Sequence, residues 1–343
     1  MRIALDIMGG DNAPHSNILG AKSFIDSTPD SNTKIIFVGP KNLIEKEIKS
    51  NNYDINSDRF EVHNADDVIT MHEKKPAYAF KNKPNSSLVQ AVQLVKEGKA
   101  DAVVSAGNTA ALLSSSLFLL GKIDGIKRPA LATHIPNKNH GFILCDVGAN
   151  TEVKPIHLMQ FAIMASDYVK YIENINSPKI ALVNIGSEKN KGNKLTTEAY
   201  PLLEENLDNF IGNIESRDLL DGEVDVAICD GFTGNTILKL IEGMINHFYK
   251  SLKEDDDIIK SSNSMNAIKK IFQRYDYEEH GASPFLGVKG IVLKCHGSCS
   301  EISIKNALIS SEVFYNNRII NKIESDLNKK NTLFKKLELS SNK

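Results

Sequence analysis

The chain has 343 residues, of which 41% are hydrophobic and 24% are charged, so it can bury a large core and is neither disordered nor fibrous. Its 41 Lys and Arg residues nearly balance 43 Asp and Glu residues, and the formal net charge of −2 excludes a protein whose overall charge attracts nucleic acid. The first apolar run breaks at Gly9 and Gly10, too early for a signal peptide, and no later run reaches about 18 apolar residues, so we expect a cytoplasmic protein.

Short β-branched runs alternate with amphipathic helical stretches, which predicts an α/β fold with a doubly wound, mainly parallel sheet between helical layers. The predicted strands cover residues 2–7, 34–38, 60–64, 102–105, 141–146, 180–185, 209–214, 224–229 and 290–295. The clearest predicted helices cover residues 86–97, 109–120, 156–171, 196–206, 235–252 and 300–327. No repeat or linker divides the chain, so we expect one domain over residues 1–327, with a helical excursion at about 253–280 and a polar tail over 328–343.

Five predicted strands run into polar turns that contain glycine. Because the carboxyl ends of parallel strands share one edge of a sheet, the predicted site lies along that edge. Glycine lets backbone N–H groups approach an anion, and helices that begin just after Gly107 and Gly234 would direct their positive dipole ends at it. The candidate ligands are Gly9, Gly10, Asp11, Ser105, Gly107, Asn108, Thr109, Asp146, Asn150, Gly186, Asp230, Gly231 and Gly234.

Each of these turns also has a purely structural explanation. Glycine suits a tight strand-to-helix turn, and Asn or Thr is a good helix N-cap. Five such turns together favour an anion site over five independent caps. Neither GxxxxGK[ST] nor GxGxxG after the first strand is present, so the pattern predicts no nucleotide cofactor.

Six stretches of the chain form a distinctive series: RIALDIMGGD from residue 2, KADAVVSAGN from residue 99, DVGAN from residue 146, NIG from residue 184 with KGN from residue 191, DGFTGN from residue 230 and GVKGIVLKCHG from residue 287. These stretches resemble, in the same order, motifs of the PlsX family of phosphate acyltransferases. The resemblance runs from residue 1 to about 320. Ala110, where the family often has glycine, and Cys299, in a usually serine-rich stretch, are small departures that preserve close packing.

The resemblance implies a fold related to isopropylmalate dehydrogenases and phosphate acetyltransferases, and a homodimer. It implies reversible transfer of a fatty acyl group from acyl carrier protein to inorganic phosphate. The acyl phosphate would be consumed by a membrane glycerol-3-phosphate acyltransferase in the synthesis of phosphatidic acid. Peripheral association with the inner face of the membrane is also implied.

Phosphate is already an anionic nucleophile, so such a reaction needs a phosphate cradle and donors for the developing oxyanion rather than a covalent intermediate. Lys191, in the loop after the strand at 180–185, is the first candidate for the oxyanion charge, although it is also simply a solvated lysine. Asn235, at a predicted helix start, can hold phosphate or the carbonyl oxygen, or act as a plain N-cap. His296 can donate to phosphate or protonate the leaving thiolate, and a structural histidine is the alternative.

Four aspartates in the turns are harder to place, because carboxylates repel phosphate. Asp6, Asp11, Asp146 and Asp230 either orient the three catalytic candidates, cap helices or bind a metal ion. The cluster of Cys295, His296 and Cys299 lacks the second pair of ligands of a structural zinc site. We therefore assign no metal.

Three further segments suggest contacts with partners or substrate. Lys81 and Lys83 form a basic cluster that can attract the acidic acyl carrier protein, with a solvated turn as the alternative. Residues 258–275 combine helically spaced apolar residues with four positive charges, which suits an anionic membrane surface or packing on the protein's own core or a second copy. The lipophilic run 110–120 fits core packing as well as an acyl chain and stays unassigned.

Two other functions fit parts of the sequence. A nicotinamide-dependent dehydrogenase has the same sheet pattern but needs the missing dinucleotide fingerprint. A non-enzymatic scaffold for lipid-synthesis proteins would use the basic segment at 258–275 but leaves the five glycine turns unexplained.

Overall fold

The computed structural model describes residues 1–51, 53, 58–254, 281–330 and 334, and the chain forms two compact units. The first unit combines Met1–Pro129 with Glu278–Lys343, and the second is Ala130–Tyr277. The first unit is thus assembled from both ends of the chain, a division that the sequence does not signal with a linker. The predicted excursion at 253–280, including the segment 258–275, lies outside the described residues apart from its first two positions, as does most of the tail at 328–343.

Strands and helices alternate along most of the described chain. The strands are β1 (Arg2–Asp6), β2 (Lys34–Gly39), β3 (Phe60–Asn64), β4 (Ala102–Ser105), β5 (Ala130–Ile135), β6 (Phe142–Cys145), β7 (Ile180–Asn184), β8 (Phe210–Glu215), β9 (Val226–Ile228), β10 (Ser283–Leu286) and β11 (Ile291–Lys294). The helices are α1 (His15–Ser27), α2 (Lys41–Ser50), α3 (Ala79–Asn82), α4 (Ser87–Lys96), α5 (Thr109–Leu119), α6 (Pro155–Ile172), α7 (Lys194–Asn206), α8 (Gly231–Glu254), α9 (Glu301–Asn316) and α10 (Ile319–Lys329).

The sheet of the first unit has the strand order β3-β2-β1-β4-β11-β10. Its paired strands are parallel except β10, which runs antiparallel to β11. The central residues Ile3, Ala4 and Leu5 of β1 are fully buried, as expected of a strand covered by helices on both faces. Helix α4 packs on β1, β2 and β4, while α1 and α9 pack on each other.

The sheet of the second unit has the order β5-β6-β9-β7-β8, in which β5 alone of these described strands is antiparallel to its neighbour, β6. Helix α6 covers β6 and β9 and also packs on α7. The predicted class, an α/β fold with a doubly wound and mainly parallel sheet, is confirmed. Strand ends in both units carry the turns singled out by their glycines.

The predicted elements differ from the observed ones in three respects. The nine predicted strands are present with ends within two residues, but the sequence does not predict the antiparallel strands β5 and β10. The predicted helix at 300–327 is two helices, because Arg318 adopts a left-handed conformation with φ 52° between α9 and α10. The predicted helix at 235–252 begins earlier, at Gly231.

Candidate active site

Three neighbouring strands of the first unit end at buried polar side chains. β1 ends at Asp6, β4 at Ser105 and β11 at Lys294. The strands are in register, since Leu5 pairs with Val104 and Lys294 pairs with Ser105. An acid, a hydroxyl and an amine therefore form a row across the carboxyl edge of this sheet, which we call the strand-end row.

The Asp6 carboxyl group joins the two turns that follow β1 and β4. Ser105 Oγ donates to Asp6 Oδ2 at 2.6 Å, and the Met8 N–H donates to Oδ1 at 3.2 Å. The Gly107 N–H in turn donates to Ser105 Oγ at 3.0 Å. Burial raises the pKa of Asp6 above its ordinary value, while these donors and the charge of Lys294 oppose the rise. The buried Asp6 carboxyl group therefore bonds to the two turns and not to solvent.

Where the turns meet, the close approach of the two backbones requires glycine at position 9 and favours it at position 107. A Cβ atom on Gly9 would lie 2.6 Å from both Asp6 Oδ2 and the Gly107 nitrogen. A Cβ atom on Gly107 would lie 3.1 Å from Asp6 Oδ2. Gly10 also has a φ of 97°, which disfavours other residues. The glycines predicted to approach an anion therefore first allow the two backbones to approach each other.

Asn17 of α1, which is not among the predicted site residues, fixes the turn after β1. Its Nδ2 donates to the carbonyl oxygens of Ile7 and Gly9, both at 2.9 Å, and to that of Asp6 at 3.3 Å. Because Asn17 is fully buried, these bonds satisfy carbonyls that would otherwise be costly to desolvate. No local sequence pattern indicates this long-range role.

Lys294 is a second site residue, after Asn17, that is not among the predicted site residues. Only 7% of it is exposed, and its Nζ donates to the carbonyl oxygens of Ala106, at 3.3 Å, and Cys295. The amine therefore lies against the turn that follows β4. The indication in the sequence was a lysine inside the apolar run IVLKC, because a lysine is rarely buried without partners.

Helix α5 begins directly after this turn and offers free N–H groups. The neutral side chain of Asn108 caps it, since Oδ1 accepts from the Ala111 N–H at 3.1 Å and the carbonyl accepts from Leu112 at 2.9 Å. Within the described part of the chain, the N–H groups of Thr109 and Ala110 have no protein acceptor. The positive end of the α5 dipole is therefore available to an anion.

The remaining first-unit candidates lie at the same edge. The Asp11 N–H donates to the Gly297 carbonyl at 2.7 Å, and the Asp11 side chain is exposed. His296 is half-buried, and its Nδ1 lies 2.8 Å from Ser298 Oγ. The structure thus brings together eight predicted residues of the first unit: Gly9, Gly10, Asp11, Ser105, Gly107, Asn108, Thr109 and His296.

In the second unit, Asp146 is the centre of the turn after β6. Its Oδ1 accepts from the N–H groups of Leu131 at 3.0 Å and Ala149 at 3.1 Å. Its Oδ2 accepts from the Asn150 backbone at 2.7 Å and Nδ2 at 3.0 Å. Burial raises the pKa of Asp146 to about 6, against these four donors, which favour the carboxylate. The geometry assigns Asp146 and Asn150 to the shaping of this turn.

Gly231 and Gly234 bring α8 close to the same turn. The Gly231 N–H donates to the Asn150 carbonyl at 2.7 Å, and a Cβ atom on Gly231 would lie 2.8 Å from Asp146 Oδ2. A Cβ atom on Gly234 would overlap the Asp146 carbonyl oxygen. Close packing of a helix against a turn therefore accounts for both glycines.

Asn235 does not stand at a helix start, so that prediction is wrong. Asp230 caps α8, because its Oδ1 accepts from the Thr233 N–H at 2.9 Å and its carbonyl accepts from Gly234 at 2.9 Å. Asn235 lies in the second turn of α8, exposed, 3.6 Å from where a Cβ atom on Gly148 would be. Since the Asp230 carboxylate already compensates the helix dipole, this terminus suits phosphate less well than that of α5.

Lys191 extends from a loop whose backbone is anchored. Asn184, at the end of β7, donates from Nδ2 to the Lys191 carbonyl at 3.0 Å, and the Lys191 N–H donates to Glu188 at 3.1 Å. Gly192 adopts a φ of 107°, and a Cβ atom on Gly186 would lie 2.8 Å from Glu188 Oε2. The Lys191 side chain is exposed. The loop is therefore a fixed support for an accessible amine.

The two lysines of the predicted docking cluster have different environments. Lys83 Nζ donates to the Val68 carbonyl at 3.0 Å and to Glu73 Oε2 at 3.1 Å, and this bond lowers the pKa of Glu73. Lys81 is exposed, with Nζ 5.7 Å from the centre of the Phe80 ring. Lys81 therefore supplies the accessible charge of the pair.

Among the described residues, no group of three or more His, Cys, Asp and Glu side chains is arranged to hold a metal ion. The four cysteines are buried thiols outside any disulfide, and burial raises the pKa of the Cys145 and Cys229 thiols. No helix in the described ranges is long and apolar enough to cross a membrane.

Comparison with known proteins gives consistent results over nearly the whole chain. The family described as fatty acid synthesis protein matches residues 1–322. The chain is 44% identical over 336 residues to a phosphate acyltransferase of Clostridium kluyveri, covering 96% of this chain and 98% of the relative. It is also 44% identical over 339 residues to the phosphate acyltransferase of Clostridium acetobutylicum, covering 96% and 100%. A phosphotransacetylase from Streptococcus pyogenes shares the fold, with a TM-score of 0.60, 15% identity and coverage of 92% and 94%.

Proposed function

Because the chain belongs to the PlsX family of fatty acid synthesis proteins, we propose that it takes a fatty acyl group from acyl carrier protein and supplies acyl phosphate for phospholipid synthesis. It is a phosphate acyltransferase, so its acceptor is phosphate. In the proposed reaction a phosphate oxygen attacks the thioester carbonyl. The new C–O bond forms, the C–S bond breaks, and the thiolate of the carrier takes up a proton. The reverse reaction returns the acyl group to the carrier.

The observation that carries this proposal is the anion site at the start of α5. The free N–H groups of Thr109 and Ala110 lie where the helix dipole is positive, and the cap, Asn108, is neutral. Lys294 adds a buried cation against the preceding turn. Such donors are fixed before the substrate arrives, which is the condition for electrostatic stabilisation of a transition state. We assign phosphate to this site.

The three catalytic candidates keep their proposed roles, supported by accessibility and chemistry. Lys191 would stabilise the oxyanion, because its amine is accessible on an anchored loop. His296 would protonate the leaving thiolate, and its contact with Ser298 orients the ring. The exposed Asn235 amide would bind phosphate or the acyl carbonyl.

The partners follow from the substrates. Acyl carrier protein is acidic, and exposed Lys81 is the proposed docking charge. The product is a lipophilic anion whose proposed consumer is a membrane glycerol-3-phosphate acyltransferase. We therefore propose a cytoplasmic homodimer that associates peripherally with the inner membrane face. The acyl phosphate would then reach the membrane acyltransferase without diffusing far through the aqueous phase.

The test uses purified protein and a long-chain acyl carrier protein without added nucleotide. We expect thiol release that requires phosphate, with acyl phosphate of the expected mass. Acyl coenzyme A with the same chain is the matched donor, and the carrier-bound form should have the higher kcat/KM. Thiol release independent of phosphate, or a preference for the coenzyme A thioester, would contradict the proposal.

A further inference from the structure

Helix α5 buries three small residues and one leucine, and it leaves Phe118 exposed and the other leucines only half-buried. Its buried residues are Ala111, Leu112, Ser115 and Ser116. Ser115 Oγ donates to the Ala111 carbonyl at 2.6 Å, and Ser116 Oγ donates to the Leu112 carbonyl at 2.7 Å, so the helix itself satisfies both hydroxyls. Ordinary amphipathic helices bury their large apolar residues, so core packing explains Leu112 but not Leu113, Leu117 and Phe118 on the outer face.

The outer face of α5 forms a continuous stripe. Positions 110, 113, 114, 117 and 118 follow the spacing of one helical face, and they carry Ala110, Leu113, Ser114, Leu117 and Phe118. Phe118 is 61% exposed. The stripe begins at Ala110, whose N–H belongs to the proposed phosphate site, and continues along a helix of about 16 Å.

The segment between β3 and α4 extends this stripe into an apolar surface. The short helical turn Pro76–Tyr78 and α3 both pack on α5. The Phe80 ring lies 4.5 Å from the Phe118 ring, and Tyr78 is 60% exposed. Asn108 Nδ2 donates to the Met71 carbonyl at 3.1 Å, which ties the segment to the cap of α5. The apolar surface is therefore continuous with the proposed phosphate site.

We propose that this surface, from Ala110 to Phe118 with Phe80 at its far end, binds the hydrocarbon chain of the acyl donor. The carbonyl carbon would lie at the start of α5, where phosphate is held, and the chain would extend towards the two phenylalanine rings. Phe118 then determines chain-length preference, because only a long chain reaches it. This inference rests on the proposed fatty acyl donor.

The continuity with the phosphate site favours a substrate chain over other occupants. A phosphate acyltransferase must place an acyl carbon beside the phosphate, and the stripe begins at that point. A second copy of the chain covering the stripe is the alternative that the test must detect.

The test measures binding of dodecylphosphonate and butylphosphonate by calorimetry. Both probes carry an anionic head like that of acyl phosphate, and they differ in chain length. Phe118→Ala should weaken dodecylphosphonate binding about tenfold or more, because the exposed aromatic ring that the long chain would cover is lost, with less than about a twofold effect on butylphosphonate. Phe80→Ala should reproduce the pattern. Leu43→Ala, at a similarly exposed apolar position on α2, should change neither.

The outcomes separate this inference from the proposed function. Equal weakening of both probes, or none, would overturn it, and so would a change of oligomeric state in Phe118→Ala by analytical ultracentrifugation. If no acyl carrier protein thioester is a donor but the chain-length effect on binding persists, the acyl surface stands and the proposed donor fails. Among active donors, long chains should lose kcat/KM in Phe118→Ala through KM while short chains keep theirs.

Discussion

Replacing Lys294 by methionine tests the strand-end row most directly. Methionine keeps the length and apolar stem of the side chain but removes the ammonium group. We expect phosphate-dependent turnover to fall by about 10²-fold or more, with a higher KM for phosphate, because a fixed charge beside the anion site is lost. The row would then keep the acid and the hydroxyl without their cation.

The cost in stability follows from the contacts of Lys294. The carbonyl oxygens of Ala106 and Cys295 lose their donor, which costs about 1–3 kcal/mol for each that stays unsatisfied. Asp6 also loses the nearby positive charge that offsets part of its burial. A domain is typically stable by about 5–15 kcal/mol, so the variant should fold at low temperature with a reduced urea midpoint.

A double variant separates charge balance from catalysis. Asp6→Asn combined with Lys294→Met removes the uncompensated acid, so it should be more stable than Lys294→Met alone while remaining equally inactive. Urea unfolding gives the stabilities, and thiol release at varied phosphate gives kcat and KM. A folded Lys294→Met protein with unchanged kcat/KM for phosphate would refute the role assigned to this amine.

Three further predictions concern Lys191, Asp146 and the lysines at 81 and 83. Lys191→Ala should lower turnover about 10²-fold while changing unfolding free energy by less than about 0.5 kcal/mol, as measured by thiol release and urea titration. Burial raises the pKa of Asp146 to about 6, so the folded chain holds a proton that the unfolded chain releases above its ordinary pKa of 3.8. The contribution of Asp146 to the free energy of unfolding is therefore greatest below about pH 4, and it falls by up to about 3 kcal/mol as the pH rises through 6. Thermal unfolding of the Asp146→Asn variant at different pH values should lack this dependence. Salt should weaken binding of acyl carrier protein, and Lys81→Ala should reduce that sensitivity more than Lys83→Ala, because Lys83 is paired with Glu73.

Each of these predictions has a matched comparison. Lys189→Ala, in the same loop, controls for loss of a loop charge, and normal turnover in Lys191→Ala would remove Lys191 from the oxyanion site. A pH dependence of unfolding that persists in Asp146→Asn would assign the titration to another buried acid. An unchanged salt response in both lysine variants would locate carrier docking elsewhere on the surface.

Most of the parallel strands could be predicted because they are short apolar runs buried on both faces, whereas β3 and β8 are partly exposed. The antiparallel strands lacked that pattern. β5 begins with Ala130, Leu131 and Ala132 and has β-branched residues only at Thr133 and Ile135. β10 contains Pro284, which usually argues against a strand. The helix break at Arg318 could not be predicted either, since a left-handed residue between two helices is usually glycine or asparagine.

The sheet edge that carries the candidate site could be predicted from its glycine turns, but the roles of individual residues could not. Gly234 looked like a phosphate ligand, yet its hydrogen atom allows α8 to contact the Asp146 carbonyl. Asn17 and Lys294 act on turns far away in sequence, so their roles depend on tertiary contacts that local patterns do not contain. Lys294 was nevertheless detectable in principle as a charge within an apolar strand.

The assembly of the first unit from both ends of the chain bears on its synthesis. The second unit is continuous in sequence, so all its strands leave the ribosome before β11 is made. β4 cannot pair with β11, its neighbour in the sheet, until residues 291–294 have been synthesised. Domains generally fold as units during translation, so the second unit can fold first. A nascent chain arrested before residue 291 contains Asp6 and Ser105 without their cation, and we expect it to bind no phosphate.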